Sequence, residues 1–164
     1  MKRYLSILLI IVSVFMLTAC STNNDGKKFS EDDFEITLND NFQKKDIVGV
    51  TYYYQNDNMN AAVVVKKESK DAFESAGIIF PDDVKSYAEF IVKNNFLTDS
   101  KVTMDGKVAK FDYHKTVNGT KYYYYAVAQR NNDDYWLVTF YCLSEKANEY
   151  KTQFDKWADT IVVK

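Results

Sequence analysis

The chain has 164 residues, 46% hydrophobic and 27% charged, with 21 Lys and Arg against 23 Asp and Glu, one His and two Cys. That length accommodates one domain and an appendage around a single core. The near balance of charge, without a dense basic cluster, speaks against a nucleic-acid partner, and two cysteines cannot make a disulfide framework.

Met1, Lys2 and Arg3 form a short basic region, and Tyr4 to Leu17 is apolar apart from Ser6, Ser13 and one phenol. The apolar run is shorter than the roughly 20 residues of a membrane-spanning helix and stops at small residues, as an export signal peptide over residues 1–19 would. Leu17-Thr18-Ala19-Cys20 resembles a bacterial lipobox, whose cysteine is lipidated and becomes the first residue after cleavage. The resemblance implies a covalent diacylglycerol lipid on Cys20, palmitate-type acylation, and no other cofactor. Because one acyl chain binds only marginally, two or more chains are expected to anchor the protein at the extracytoplasmic face of the cell membrane.

Cleavage takes Lys2 and Arg3 from the 21 basic residues, leaving 19 against 23 acidic ones and a net charge of −4. It also leaves Cys142 as the only free thiol, so packing rather than a disulfide must supply stability. Residues 20–33 are expected to be the lipidated cysteine and a polar tether, "STNNDGKKFSEDD", with a reach of roughly 20 Å. The folded domain is then residues 34–164.

"FEITL" alternates as a strand does, and "GVTYYYQ" and "AAVVVK" read as a hairpin about "NDNMN". Lys67 to Gly77 reads as a charged loop with a short helix ending at the glycine. Val84, Tyr87, Ala88 and Ile91 fall on one helical face, with Pro81, Asp82 and Asp83 suited to the first turn. "KVTMDG" and "KVAKFDYHKTV" follow as strands, and Asn118-Gly119 between alternating runs marks a type I′ turn into "KYYYYAVAQR". "NNDD" turns into Tyr135 to Leu143, and Ser144 is expected to cap a final helix carrying Tyr150, Phe154, Trp157 and Ile161.

Taking Asn118 and Gly119 as the turn separates the residues into two faces. Ala109, Phe111, Tyr113, Tyr122, Tyr124, Ala126, Ala128, Leu137, Thr139 and Tyr141 share one. Asp112, His114, Tyr123, Tyr125, Val127, Trp136, Val138, Phe140 and Cys142 share the other. Both faces are apolar in the middle, which predicts helices above and below the sheet. Tyr123 and Tyr125, with His114 and Asp112 beside them and Tyr53 as a further member, are the candidate binding patch. Against that stands their continuity with Val127, Val138 and Phe140, which favours cover by a helix.

The segments "YYYQ...AAVVVKKES", "VKSYAEFIV", "FDYHKTVNGTKYYYYAVAQ", "YWLVTFYC" and "YKTQFDKWADTIV", behind the lipobox leader, resemble the PsbP-like and DcrB-type lipoproteins. Their superfamily includes the Ran-binding Mog proteins. The resemblance implies an α+β fold, an antiparallel sheet sandwiched by helices in three layers (α/β/α), and it brings no motif from which functional residues carry over.

His114 has no visible nucleophile or orienting partner, Cys142 lies in an apolar run, and no spacing of thiolates or imidazoles suits a metal. Asn56 with Asp57, Asp82 with Asp83, and Asp133 with Asp134 offer clustered oxygens, which turn and helix-start chemistry explain better than a cation does. No catalytic residue and no metal site is expected. The function expected is a non-enzymatic binding or accessory module of the cell envelope, held to the membrane by lipid and working through an envelope protein partner. The alternatives are a carbohydrate or peptidoglycan binder using exposed tyrosines and a hydrolase centred on His114.

Overall fold

The computed structural model describes residues 26–164, so the leader, Cys20 and the first part of the tether lie outside the described residues. The chain runs β1 (Lys27–Ser30), β2 (Phe34–Leu38), β3 (Gln43–Lys44), β4 (Tyr52–Asn56), β5 (Ala61–Ser69), α1 (Lys70–Ser75), α2 (Val84–Asn94) and β6 (Thr103–Asp105). It continues with β7 (Val108–Val117), β8 (Thr120–Asn131), β9 (Asp134–Leu143), a 3-10 turn (Ser144–Lys146), α3 (Ala147–Ala158) and β10 (Val162–Val163).

Seven strands form one antiparallel sheet in the order β3-β4-β5-β9-β8-β7-β6, and β1-β2-β10 form a second, smaller one. The Asn118-Gly119 turn sets the register as expected, pairing Val117 with Thr120 and Tyr113 with Tyr124. Asn118 at φ 50° and Gly119 at φ 82° occupy the left-handed region that a type I′ hairpin turn demands. The next turn is tighter than "NNDD" suggests: Asn131 pairs with Asp134, leaving only Asn132 and Asp133 in the loop. Asn132 takes φ 55°, a conformation asparagine tolerates better than most residues.

Helices α1 and α2 pack on one face of the large sheet, where Phe73, Tyr87 and Ala88 meet Ala109, Phe111, Ala126, Ala128 and Tyr135. Three alanines at the contact let the helix backbone approach closely, and Tyr87 stacks on Tyr135 at 4.3 Å between ring centroids. The opposite face carries α3 and the small sheet together. Phe154, Trp157 and Ala158 of α3 and Phe29, Phe34, Ile36 and Leu38 of the small sheet close one core over Tyr123, Val127, Trp136, Val138 and Phe140. Burying each of these aromatics stabilises the fold by about 2–3 kcal/mol on area grounds.

Four local expectations are corrected. The tether does not extend to Asp33: Lys27–Ser30 pairs with β2, and Phe29 is buried against the Tyr54 ring at 4.6 Å. One apolar residue among charges carries no periodicity, so only its tertiary partner reveals the strand. Gly26 enters this strand where a Cβ would stand 2.0 Å from the Leu38 carbonyl oxygen, which no larger residue can satisfy. Lys67 to Ser69, read as loop, continues β5 and pairs with Asp134 to Trp136.

Pro81 and Asp82 stand outside α2, whose cap is Asp83, accepting from the Ser86 amide at 2.7 Å. Ser144 caps nothing; it opens a 3-10 turn, and its hydroxyl faces His114 instead.

Helix α2 ends in a Schellman motif, Leu97 N–H donating to Val92 C=O and Phe96 N–H to Lys93 C=O. Phe96 therefore sits at φ 54° in a place glycine usually holds, a conformation costing roughly 1 kcal/mol or more, while its ring is 87% exposed. The alanine floor beneath α2 is equally specific in the opposite sense. Ala128→Leu is expected to lower unfolding stability by about 1–3 kcal/mol through overpacking, measured by urea denaturation, whereas Tyr124→Leu, on the same face outside the helix, costs less.

Candidate functional site

The strand register arranges the face opposite α3 in rows. One row crosses five strands as Tyr53, Val64, Thr139, Ala126 and Phe111, and the next as Gln55, Ala62, Tyr141, Tyr124 and Tyr113. A third brings Leu143, Tyr122 and Lys115 together. Along β8 this face reads Tyr122, Tyr124, Ala126, Ala128, so side chains are small under α2 and large beyond it.

Beyond α2 the floor is aromatic and partly open. Tyr53, Tyr113, Tyr122, Tyr124 and Tyr141 are all half-buried. Tyr113 stacks on Tyr124 at 4.8 Å, Tyr124 lies 5.6 Å from Tyr141, and Tyr122 meets Tyr141 edge-on at 5.9 Å. The Tyr53 and Tyr141 hydroxyls share a hydrogen bond of 2.8 Å. Those of Tyr113, Tyr122 and Tyr124 find no partner among the described residues. Burial and the neighbouring Tyr124 push the Tyr113 phenol up to about 12, so it stays a protonated donor at neutral pH. Lys66 on β5 and Lys115 on β7 stand exposed on this same face, unpaired among the described residues.

The candidate patch of Tyr123, Tyr125, His114 and Asp112 is a different object. Tyr123 and Tyr125 are 3% and 6% exposed beneath α3, so they form no open platform. Their hydroxyls reach the rim, Tyr123 donating to Asp112 at 2.9 Å and Tyr125 to Asp155 at 2.6 Å. Lys151 pairs with Asp112 at 2.6 Å and Lys110 with Asp155 at 2.9 Å and Asp105 at 3.0 Å, which pins α3 to β6 and β7. The candidate pair is covered, as its continuity with Val127, Val138 and Phe140 favours, and the pair assigned to a layer is the open one, because α2 ends short of Tyr122 and Tyr124. Register reasoning separates the faces correctly but carries no information on how far each helix reaches.

No protein-family model matches the chain, and no curated protein does. Solved structures do. A Bacteroides thetaiotaomicron protein aligns over 85% of this chain at 12% identity with a TM-score of 0.59, and this chain spans about half (49%) of that protein's length. The cyanobacterial PsbP of Synechocystis aligns over 90% of this chain and 99% of its own, at 12% identity and a TM-score of 0.52. The Saccharomyces cerevisiae Ran-binding protein Mog1p aligns over 84% and 94%, at 8% identity and a TM-score of 0.56. The chain has the PsbP and Mog1p fold. Identities this low speak to architecture alone.

Within this PsbP- and Mog1p-type architecture, the remaining chemistry-bearing groups are dispersed. His114 Nδ1 lies 2.7 Å from the Ser144 hydroxyl, a contact invisible in the sequence because 30 residues separate the two. Its other ring nitrogen has no orienting partner among the described residues, and Asp112 beside it is already engaged by Lys151 and Tyr123. The cleft next to His114, about 360 Å³ and lined by Phe96, Leu97, Asp112, Tyr113 and Tyr123 among others, does not include Ser144. A nucleophile and base working on a bound substrate need both groups in one cleft. Cys142 is fully buried, and burial pushes its thiol up to about 11, the inert form.

Every member of the oxygen-rich pairs except Asp82 is already engaged. Asn56 is buried and accepts from the Met59 amide, Asp57 pairs with Lys45, Asp83 caps α2, Asp133 pairs with Arg130 and Asp134 with Lys67. Among the described residues no group of three or more His, Cys, Asp or Glu could hold a metal ion.

At the α3 rim, burial raises the Asp112 carboxyl, but Lys151 and Tyr123 outweigh it and hold it below the usual range. Tyr125 and Lys110 hold Asp155 low as well. A carboxyl depressed by folding contributes stability above its unfolded value near 4 and loses it as pH falls through the folded value. Stability measured by denaturation between pH 7 and pH 2 is therefore expected to fall below about pH 4. Asp155→Asn should cost about 1 kcal/mol at pH 7, a figure reduced by the exposure of this rim, and should flatten the acid limb.

Proposed function

We propose that this chain is a binding module of the cell envelope without enzymatic activity, held at the extracytoplasmic membrane face by lipid on Cys20, that grips a protein partner through its tyrosine floor. The row Tyr141, Tyr124, Tyr113 carries the reading, because among the described residues the large sheet has helix over one half of this face and none over the aromatic half. Tyrosines suit such a role, since each offers a large rigid ring with few rotatable bonds and a hydroxyl at its end. Three of the five hydroxyls are free of protein partners among the described residues, and they are the polar handles a ligand would use.

The three hydroxyls without partners among the described residues, set beside aromatic rings, also suit a sugar, which is the second reading. Two sets of data separate them. Tyr124→Ala and Tyr141→Ala should each weaken partner binding about 30-fold, as truncated aromatic anchors do, with the unfolding midpoint little changed. Chemical-shift titration of the full chain with soluble cell-wall glycan fragments should leave the tyrosine ring signals unmoved. Shifts confined to those rings would favour the sugar.

The lipid is tested separately. With β1 starting at Lys27, six residues, Ser21 to Gly26, lie between Cys20 and the first strand. Mass spectrometry of the membrane fraction should find an acylated N-terminal Cys20, and Cys20→Ala should release the protein; an unmodified cysteine overturns the anchor.

A further inference from the structure

We infer that the outer edge of β7, from Tyr113 to Val117, is a docking strand for an extended acidic and apolar segment of the partner protein, with Phe96 as its apolar anchor. This rests on the tyrosine-floor reading and gives the partner's mode of attachment.

Strand β7 is ten residues long, yet β6 pairs only with Val108, Ala109 and Lys110. Its other edge is paired with β8 throughout. In a two-residue hairpin the closing pair, Val117 and Thr120, exchanges both hydrogen bonds, and alternation assigns Lys115, Tyr113 and Phe111 the same inward direction. The backbone groups of Asp112, His114 and Thr116 must then point outward. Two side-chain contacts agree: Ser100 donates to the Asp112 carbonyl at 2.9 Å and Thr103 to the Lys110 carbonyl at 3.2 Å. The outward groups of His114 and Thr116 have no partner among the described residues. An extended backbone is the chemistry that satisfies such a row, by strand addition.

The side chains beside this edge define what else the segment carries. On the floor face, Tyr113 and Lys115 are the outermost members of their rows, so an added strand continues the tyrosine row with its own alternate residues. Beside the edge lies the cleft of about 360 Å³, lined by Tyr113 of the floor and by Asp112, His114 and Tyr123 of the other face, into which Phe96 and Leu97 bring apolar surface and Asp99 a carboxylate. Phe96 is held at a positive φ with its ring in solvent, an arrangement that serves no internal packing. Exposed Lys115 and Lys121, unpaired among the described residues, stand at the hairpin end, whereas Asp112 is already neutralised by Lys151. The complement is an apolar side chain over Phe96 and carboxylates opposite the two lysines.

The probe is a seven-residue peptide alternating Glu and Val about a central Phe, added to the full chain. Amide hydrogen exchange should slow about tenfold or more at His114 and Thr116, with Tyr113 and Lys115, protected beforehand, unchanged. That two-residue periodicity is the mark of strand pairing. Phe96→Gly should weaken peptide binding about tenfold while leaving the thermal midpoint equal or higher, since glycine prefers this conformation; a purely structural phenylalanine would lower the midpoint. Peptide binding that moves only tyrosine rings, or no binding while tyrosine variants still abolish partner capture, overturns the edge and leaves the floor. Protection at His114 and Thr116 that rises with protein concentration in the absence of peptide assigns the edge to a second copy and also overturns the proposal.

Discussion

A two-residue turn decides which tyrosine is core and which is surface. Asn118 and Gly119 hold positive φ together, and the antiparallel ladder that follows has a side-chain period of two. A slip of one residue would exchange Tyr122 and Tyr124 with Tyr123 and Tyr125 and carry every neighbour on β8 to the wrong layer. The core over α3 would then receive Ala126 and Ala128 in place of Tyr125 and Val127, and α2 would meet bulky rings where it now meets alanines.

With the register set, side-chain volume decides where the helices lie. The contact of α2 with β7 and β8 runs over Ala109, Ala126 and Ala128, which leave space for a helix to settle, and it stops where tyrosines stand up from the sheet. The tyrosines beyond are not a failure of packing. They cover one another through stacked and edge-on contacts, so the surface is apolar in bulk and polar only at the hydroxyl tips. Under α3 the same residue type is used differently, with the Tyr123 and Tyr125 rings buried and their hydroxyls tied to the carboxylates of Asp112 and Asp155.

Much of this was legible in the chain. The strand Phe34–Leu38, the strands between Tyr52 and Leu143, the hairpin register, the membership of both faces and the helix over Val84, Tyr87, Ala88 and Ile91 follow from period and turn chemistry, which are local. What was not legible depends on partners far away in sequence. Phe29 belongs to a strand because Tyr54 and Ile36 receive it, and nothing in "GKKFSEDD" announces either. The open half of the tyrosine floor depends on where α2 stops in space. The size switch from Tyr124 to Ala126 was the available signal, since small residues at consecutive positions of one strand face mark the footprint of a covering element. The contact of His114 with Ser144 had no signal at all.

The first and last strands of the described chain lie on opposite edges of β2, outside the seven-stranded sheet. A pulling force applied at the N-terminal end therefore reaches the four-residue β1 ladder before any hydrogen bond of the large sheet. Phe29 is the only deeply buried side chain of that strand, so it is the latch that such a load must withdraw. Once β1 peels away and Phe29 leaves the core it shares with Tyr54, the seven residues from Lys27 to Asp33 span at most about 24 Å as extended chain, and the ladders of the large sheet are not yet loaded. The edge thus yields its reach one short ladder at a time, ahead of the sheet that carries the tyrosine floor.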